Sequence, residues 1–329
     1  MKRRTDERVD MNTRWRMCLV LAVLAAGCSS VPARQGLTPS VRDTAKPLRV
    51  QVAQERNAVR TVRLEDYVRA AAISEFAPPS GDPDLVARML EVQAVIARTY
   101  ALANRGRHAR QGFDLCSTTH CQLYEPSRLR TSRWADAGAI AVRRTAGAVV
   151  WHNGAPAVAL FHADCGGHTS TSIDAWGGTE RSYLKAGPDE GHDDSAHAHW
   201  TYAATAAAIL KAINADARSR VGSRLDAISV VARDASGRAA TVKLEGGRDA
   251  LIRGEDFRAI LSREFGPRAV RSTLFDVRRE GKEFVFTGRG YGHGVGLCQA
   301  GAFARLREGA KPADVLKRYY PGTTLRAAN

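Results

Sequence analysis

The chain has 329 residues, of which 44% are hydrophobic and 25% charged. These proportions exclude a disordered tail protein, a collagen-like repeat and a polytopic membrane protein, and they allow one large domain or two small ones with a proper core. Lys and Arg number 49 against 34 Asp and Glu, a formal charge of +15, which invites a nucleic-acid reading. Only 8 of those 49 are Lys, and an Arg skew beside abundant Ala reads as the mark of a GC-rich genome rather than a DNA-binding face.

The N-terminus settles the compartment. Lys2, Arg3, Arg4, Arg8, Arg14 and Arg16 face only Asp6, Glu7 and Asp10, and the apolar run Met17 to Ala26 follows directly. About ten apolar residues suit a signal-peptide core and are too few to span a bilayer. The run closes on Leu24-Ala-Ala-Gly-Cys28-Ser-Ser30, which resembles a bacterial lipobox, with Ala25 where Leu is commoner. The pattern predicts residues 1–27 as a lipoprotein signal peptide and Cys28 as the lipidated residue; an ordinary secretory signal is the competing reading. Either one puts the mature chain in the cell envelope and removes nucleic acid as a partner. Cys28 would anchor it to a membrane facing the periplasm, and Ser29 in place of Asp suits an outer membrane. Residues 28–47, with three Pro and no periodicity, read as a flexible tether.

Leu48 to Ala53 alternates apolar and polar residues and predicts a strand. Val62 to Phe76 predicts a helix stopped by Pro78 and Pro79, and Asp82-Pro83 opens a second helix to about Asn104. Residues 105–131 read as loop, Trp134 to Thr145 as a short helix. Residues 148–151 and 157–161 read as a hairpin about Asn153-Gly154. A polar, glycine-rich stretch runs from Cys165 to Ser195. Further on, 204–213 reads as helix, 227–232 and 239–244 as strands, 254–263 as helix, 284–286 as strand, and 309–320 contains a closing helix. Strands and helices mixed without βαβ alternation predict an α+β fold.

Four segments carry candidate chemistry. On the first helix Val68, Ala72 and Glu75 share a face; a carboxyl ending an apolar stripe should hold its proton as a general acid must, whereas a solvated helix-end Glu is the plain alternative. On the second, Gln93, Ala97 and Tyr100 share a face that could meet sugar hydroxyls or water. Cys116-Ser-Thr-Thr-His-Cys121, with His108 upstream, has zinc spacing, with a disulfide as the alternative; His108 is preferred to His120 as third ligand. Gly288 to Gly301 alternates glycines around His293 and fits no phosphate-loop register, so it reads as backbone that something approaches closely, with an imidazole presented. Phe161-His162 to His168 is arranged similarly.

In order along the chain, Leu64-Glu-Asp-Tyr-Val68, Ser74-Glu75, Gln93 to Ala101, Thr118 to Tyr124, Phe161-His162 through Gly166-Gly167, Ala175-Trp-Gly177, Gly290 to Gly296 with Gln299 to Ala302, and Tyr319 to Thr323 resemble the SpoIID/LytB family of bacterial cell-wall proteins. The resemblance spans residues 62–323. It implies a single catalytic unit of two mixed lobes about a cleft, here residues 48–200 with the catalytic helix and 201–329 ending in the Gly-His-Gly-Val-Gly loop. It implies a lytic transglycosylase acting on peptidoglycan glycan strands whose stem peptides an amidase has removed, with Glu75 as the one acid–base residue. Gln93, Arg98, Tyr100, His162, Tyr291, His293 and Gln299 would bind substrate. No cofactor is needed for that chemistry, although relatives bind a zinc where Cys116 and Cys121 stand, with His108 here as third ligand. Cys165 and Cys298 replace serines of many relatives; a disulfide between them is expected in preference to a larger metal cluster. The alternative to an enzyme is a non-catalytic glycan-binding protein or an enhancer of a cell-wall amidase.

Overall fold

A computed structural model describes residues 46–76 and 82–327. The expected leader, Cys28 and the tether up to residue 45 lie outside the described residues, and among those described no helix is long and apolar enough to cross a membrane.

The chain begins with strand β1 (Leu48–Val52), antiparallel to β2 (Ala58–Val62) and parallel to β3 (Leu115–Cys116). Against this sheet lie helix α1 (Leu64–Glu75) and helix α2 (Pro83–Ala103). Asp82 starts α2 as its side chain accepts the Asp84 and Leu85 amides, with Pro83 in the first turn where no amide is needed. Ala70, Ala71 and Ala72 of α1 are wholly buried; having no bulk beyond Cβ, they let α1 lie close to its neighbours. Helix α3 (Ala135–Arg144) crosses α1 and α2, and its Gly138 is a point of close approach, since a Cβ there would lie 2.8 Å from Ile73.

Strand β4 (Ala148–His152) turns through Asn153 and Gly154, both at positive φ, to pair with Ala155 and Pro156. The expected hairpin stops there. Beyond it the Ala157 amide makes one last bond, to the Val150 carbonyl at 2.8 Å, but the Val150 amide goes to the Thr99 hydroxyl at 3.1 Å, and β5 (Phe161–His162) instead pairs in parallel with β12 (Leu297–Cys298) far down the chain.

Between those two strands the chain builds a separate core. Strand β6 (Trp200–Thr205) leads into α4 (Ala206–Asn214), whose first turn is capped by the Thr205 hydroxyl accepting the Ala208 amide. Strands β7 (Leu225–Arg233), β8 (Ala239–Gly246) and β9 (Ala250–Arg253) form one antiparallel sheet. After α5 (Gly254–Phe265), strands β10 (Phe275–Glu280) and β11 (Glu283–Gly288) join β6 in a second. Phe257, Phe275 and Phe286 meet at the centre with ring centroids 5.6–6.3 Å apart.

The chain then returns. Helices α6 (Gln299–Arg307) and α7 (Pro312–Tyr319) pack Phe303, Leu306, Leu316 and Tyr320 against Met89, Val92 and Ile96 of α2, and β13 (Thr324–Ala327) pairs with β4. Residues 297–327, expected with the C-terminal lobe, thus share the core of α2. The fold is α+β, as the sequence predicts.

One expected substrate contact belongs to this framework instead. The Arg98 side chain is wholly buried, grips the Glu65 carboxylate through two bonds of 2.7 Å and donates to the Ala148 carbonyl at 3.1 Å. It ties α1, α2 and β4 together and is closed to substrate. Glu65→Ala leaves this guanidinium buried without its counter-charge and should lower the unfolding free energy by about 2–3 kcal/mol in urea titrations; a loss within error of zero would count against the strut.

Candidate active site

Glu75 is the last residue of α1, and two segments close on it. From one side comes the loop after β3. The Ser74 hydroxyl donates to the Ala70 carbonyl at 2.7 Å and accepts the Glu125 amide at 3.0 Å, and Arg128 donates to the Ile73 carbonyl at 2.8 Å. The Tyr67 hydroxyl donates to Gln122 at 3.0 Å, and the Tyr67 and Tyr124 rings stack at 5.1 Å. This clamp delivers the Leu123 amide as donor to the Glu75 carboxylate. From the other side, Gln299 at the start of α6 donates to the Glu75 carbonyl at 3.3 Å and to Gln93 at 3.1 Å.

Burial pushes the Glu75 carboxyl up to about 8; the Leu123 amide offsets part of that and the nearby Glu125 charge adds to it. Glu75 therefore carries its proton at neutral pH while staying only partly buried. A proton donor that solvent and ligand can still reach is what general-acid chemistry requires.

The glycine-rich segments meet at the β5–β12 join. Alternating glycines were expected to admit a close neighbour, and that neighbour is the protein's own 160–166 segment. Gly290 and Gly292 take φ of +78° and +109°; a Cβ on Gly292 would lie 2.7 Å from the His162 Cβ, and one on Gly290 2.9 Å from the Asp164 carbonyl. His162 is buried, with Nδ1 3.2 Å from the Val295 carbonyl and Nε2 without a partner among the described residues. Its ring lies 5.5 Å from that of His293, whose Nδ1 accepts the Val295 amide at 3.0 Å. Burial, with His162, Arg258 and Arg238 nearby, holds His293 well below the usual imidazole range, so it is neutral. Tyr291 is partly exposed, edge-on to His197 at 4.9 Å.

The expected binding residues therefore divide. His162, Tyr291 and His293 gather on the glycine-rich wall. Gln93 and Gln299 are buried; Gln299 donates to the Gln93 side-chain oxygen, joining α2 and α6 beside Glu75, while Gln93 Nε2 has no partner among the described residues. Tyr100 is buried in the core of the first sheet, so it reads as packing rather than as a sugar contact. Trp176, 43% exposed, lies edge-on to His293 at 4.9 Å; in the sequence it shows only within the Ala-Trp-Gly match, with nothing local to mark it as a site residue. A hollow of about 540 Å³ lined by Trp200, Arg233 and Arg289 touches none of these groups.

His108, Cys116, His120 and Cys121 present ligand atoms that all lie within 4.8 Å of one another. His108 Nε2 is 3.2 Å from Cys121 Sγ, and His120 Nδ1 is 3.7 Å from both sulfurs. Both thiols are free. Two sulfurs and two imidazole nitrogens at these separations fit tetrahedral zinc, and Gln111 meets the other nitrogen of His108, as an outer-shell partner should. His120 joins His108 rather than yielding to it. The second pair, Cys165 and Cys298, is also free, so the expected disulfide is not formed; the Cys165 amide instead donates to the Cys298 sulfur at 3.2 Å.

Comparison with known proteins finds relatives along most of the chain. Residues 52–152 match the SpoIID family, described as stage II sporulation protein, and residues 179–296 match a domain of unknown function. Stage II sporulation protein D of Bacillus subtilis is 27% identical over 87% of this chain and 81% of its own length. An uncharacterized protein of Brachyspira hyodysenteriae is 29% identical over 81% of this chain and 67% of its own. The amidase enhancer of Bacillus subtilis is 25% identical over 72% of this chain, which spans only 37% of that protein. The chain carries a SpoIID domain and is homologous to proteins of the SpoIID/LytB family.

A carboxyl raised from 4.5 to about 8 makes the folded protein bind more protons than the unfolded chain between those values. Its contribution to stability is full below about 4.5 and is lost as pH rises through 8. Glu75→Gln cannot ionise, so its unfolding free energy should match wild type near pH 4 and exceed it near pH 9 by on the order of a few kcal/mol. A gap that does not change with pH would show that Glu75 titrates normally.

Proposed function

We propose that this protein is a peptidoglycan lytic transglycosylase of the cell envelope, acting on glycan strands that an amidase has stripped of stem peptides. The proposal includes a membrane anchor through a lipid on Cys28. The observation that carries the reading is Glu75, a single carboxyl that burial raises to about 8 so that it keeps its proton at neutral pH, with its carbonyl tied by Gln299 to the β5–β12 join that also carries His162. Homology to a stage II sporulation protein D and to a protein named for enhancing an amidase supports a cell-wall role.

One carboxyl is enough for this reaction. Glu75 donates its proton to the glycosidic oxygen as that bond breaks and positive charge develops at the sugar carbon. The carboxylate so formed takes the proton of the muramoyl C6 hydroxyl, whose oxygen closes on the same carbon. The 1,6-anhydro product leaves and Glu75 is again protonated, with no water consumed. The Leu123 amide holds the carboxylate in place through both halves. Trp176 offers an exposed face for stacking on a sugar ring, and neutral His293 beside it can hydrogen-bond hydroxyl or N-acetyl groups.

His108, Cys116, His120 and Cys121 would hold a zinc whose contribution is structural, with all four positions filled by protein. Its place is the 108–121 loop, which leads directly into the residues that clamp Glu75.

The test is mass spectrometry of products from amidase-treated peptidoglycan. Wild type should release 1,6-anhydromuramoyl ends, with a rate that falls as pH rises through about 8. Glu75→Gln should lose activity by about 10²–10⁴-fold while still binding the glycan. Absence of anhydro ends from wild type, with binding intact, would mean the non-catalytic glycan-binding or amidase-enhancing role instead.

A further inference from the structure

Where the expected disulfide is missing, four buried side chains converge. Asp164, Cys165, His192 and Cys298 bring their ligand atoms within 4.8 Å of one another. His192 Nε2 lies 3.4 Å from Cys165 Sγ, 3.7 Å from Cys298 Sγ and 3.5 Å from Asp164 Oδ1. Tetrahedral zinc bond lengths require about 3.5 Å between sulfur and nitrogen and about 3.3 Å between nitrogen and oxygen. We propose that Asp164, Cys165, His192 and Cys298 form a second, structural zinc site that pins the two glycine-rich segments together.

Two other readings of the cluster fail on geometry. In a nucleophilic cysteine triad the acid meets one imidazole nitrogen and the thiol the other. Here all three groups address Nε2, while Nδ1 is buried and unpartnered among the described residues. Three electron-rich groups about one nitrogen exceed what a single N–H can satisfy, whereas a cation at their centre satisfies all of them. A disulfide would account for the two sulfurs and leave His192 and the unpartnered Asp164 Oδ2 without a role.

The surroundings suit a thiolate–metal centre. The Cys165 and Gly301 amides donate to Cys298 Sγ at 3.2 and 3.3 Å, and the Gly166 amide to Asp164 Oδ1 at 2.7 Å. Amide donors of this kind spread the negative charge of two thiolates and a carboxylate. The buried Arg238, which donates to the Cys165 carbonyl at 2.5 Å, adds a positive charge from the 200–288 core. Asp189 is also near Cys165, at 3.4 Å, but its carboxylate is committed to the Tyr319 hydroxyl at 2.9–3.0 Å and to Arg305 at 2.7 Å. All four ligands being buried, no position faces solvent and the metal would be a staple, independent of which reaction the cleft performs.

Full-length protein purified with reduced thiols and without chelator tests this by metal analysis. Wild type should carry two zinc ions per chain. Cys165→Ser and Cys298→Ser should each retain one, Cys121→Ser should also retain one, and Cys121→Ser with Cys165→Ser none. Because the serine variants could misfold, cobalt titration of metal-stripped wild type gives a second readout. Two equivalents should bind with tetrahedral, thiolate-to-cobalt absorption, and His192→Gln should remove one of them. Zinc content unchanged by Cys165→Ser, or cobalt uptake unchanged by His192→Gln, overturns the proposal. So does a Cys165–Cys298 disulfide found by peptide mapping in protein taken unreduced from the envelope.

Discussion

Two residues of parallel strand hold the site together. Phe161 and His162 pair with Leu297 and Cys298, so segments some 130 residues apart in the chain become neighbours. One step along the chain from that pairing, Gln299 reaches the end of α1 and bonds the Glu75 carbonyl. On the other strand, His162 turns its ring to the Val295 carbonyl. The acid and the histidine wall are thus related through one short ladder. Two residues of ladder cannot by themselves offset the entropy of closing so long a loop. The compensation comes from what surrounds the join. Val295, Leu297 and Cys298 are wholly buried in the core that α2, α6 and α7 share, and the Tyr320 hydroxyl donates to the Leu160 carbonyl at 2.8 Å.

That arrangement explains which parts of the molecule were legible in the sequence. The first two helices announce themselves by period and by Pro and Asp at their ends, because local rules decide them. From the helix period alone Glu75 stays one of two readings; the family resemblance singles it out, and the enclosure that raises it comes from the 122–125 loop and Gln299, both distant in the chain. The β5–β12 pairing was not legible, since a two-residue parallel strand has no pattern and its partner lies in a segment read as glycine loop. Helix α6 was hidden with it; Gln299-Ala-Gly-Ala is helix only because Cys298 caps its first turn and Phe303 and Leu306 have a core to enter. The hairpin after β4 ends early for a reason outside its own sequence: the Val150 amide, which the next pair needs, is taken by the Thr99 hydroxyl of α2.

Polar residues were harder to read than apolar ones. Gln93, Arg98 and Gln299 fall within the segments that carry the family resemblance, and polar side chains there invite a substrate role. The structure commits Arg98 to Glu65 and the backbone, and Gln299 to Gln93 and the Glu75 carbonyl, leaving only Gln93 Nε2 of these groups without a partner among the described residues. A buried amide or guanidinium must find partners or cost more than it contributes, so such residues are constrained as tightly as any ligand contact and look the same in a sequence. Arg98 shows the difference in kind: its two bonds to Glu65 and one to Ala148 leave no free face.

The large positive charge bears on the acid in a way that its total does not reveal. A carboxyl near a free guanidinium ionises readily and would be useless as a proton donor. In a chain with five times as many Arg as Lys, keeping Glu75 protonated depends on where the nearest guanidinium groups are tied. Arg98 is bound to Glu65 behind the helix, and Arg128, which reaches the same helix end, is divided between the Ile73 carbonyl and Glu125 at 3.1 Å. What remains to act on Glu75 is burial, one amide and the Glu125 carboxylate, and no cation is among the groups that shift it. The +15 is therefore not simple background. It is a hazard to the acid, and Glu65, Glu125 and the Ile73 carbonyl occupy the two guanidinium groups of Arg98 and Arg128.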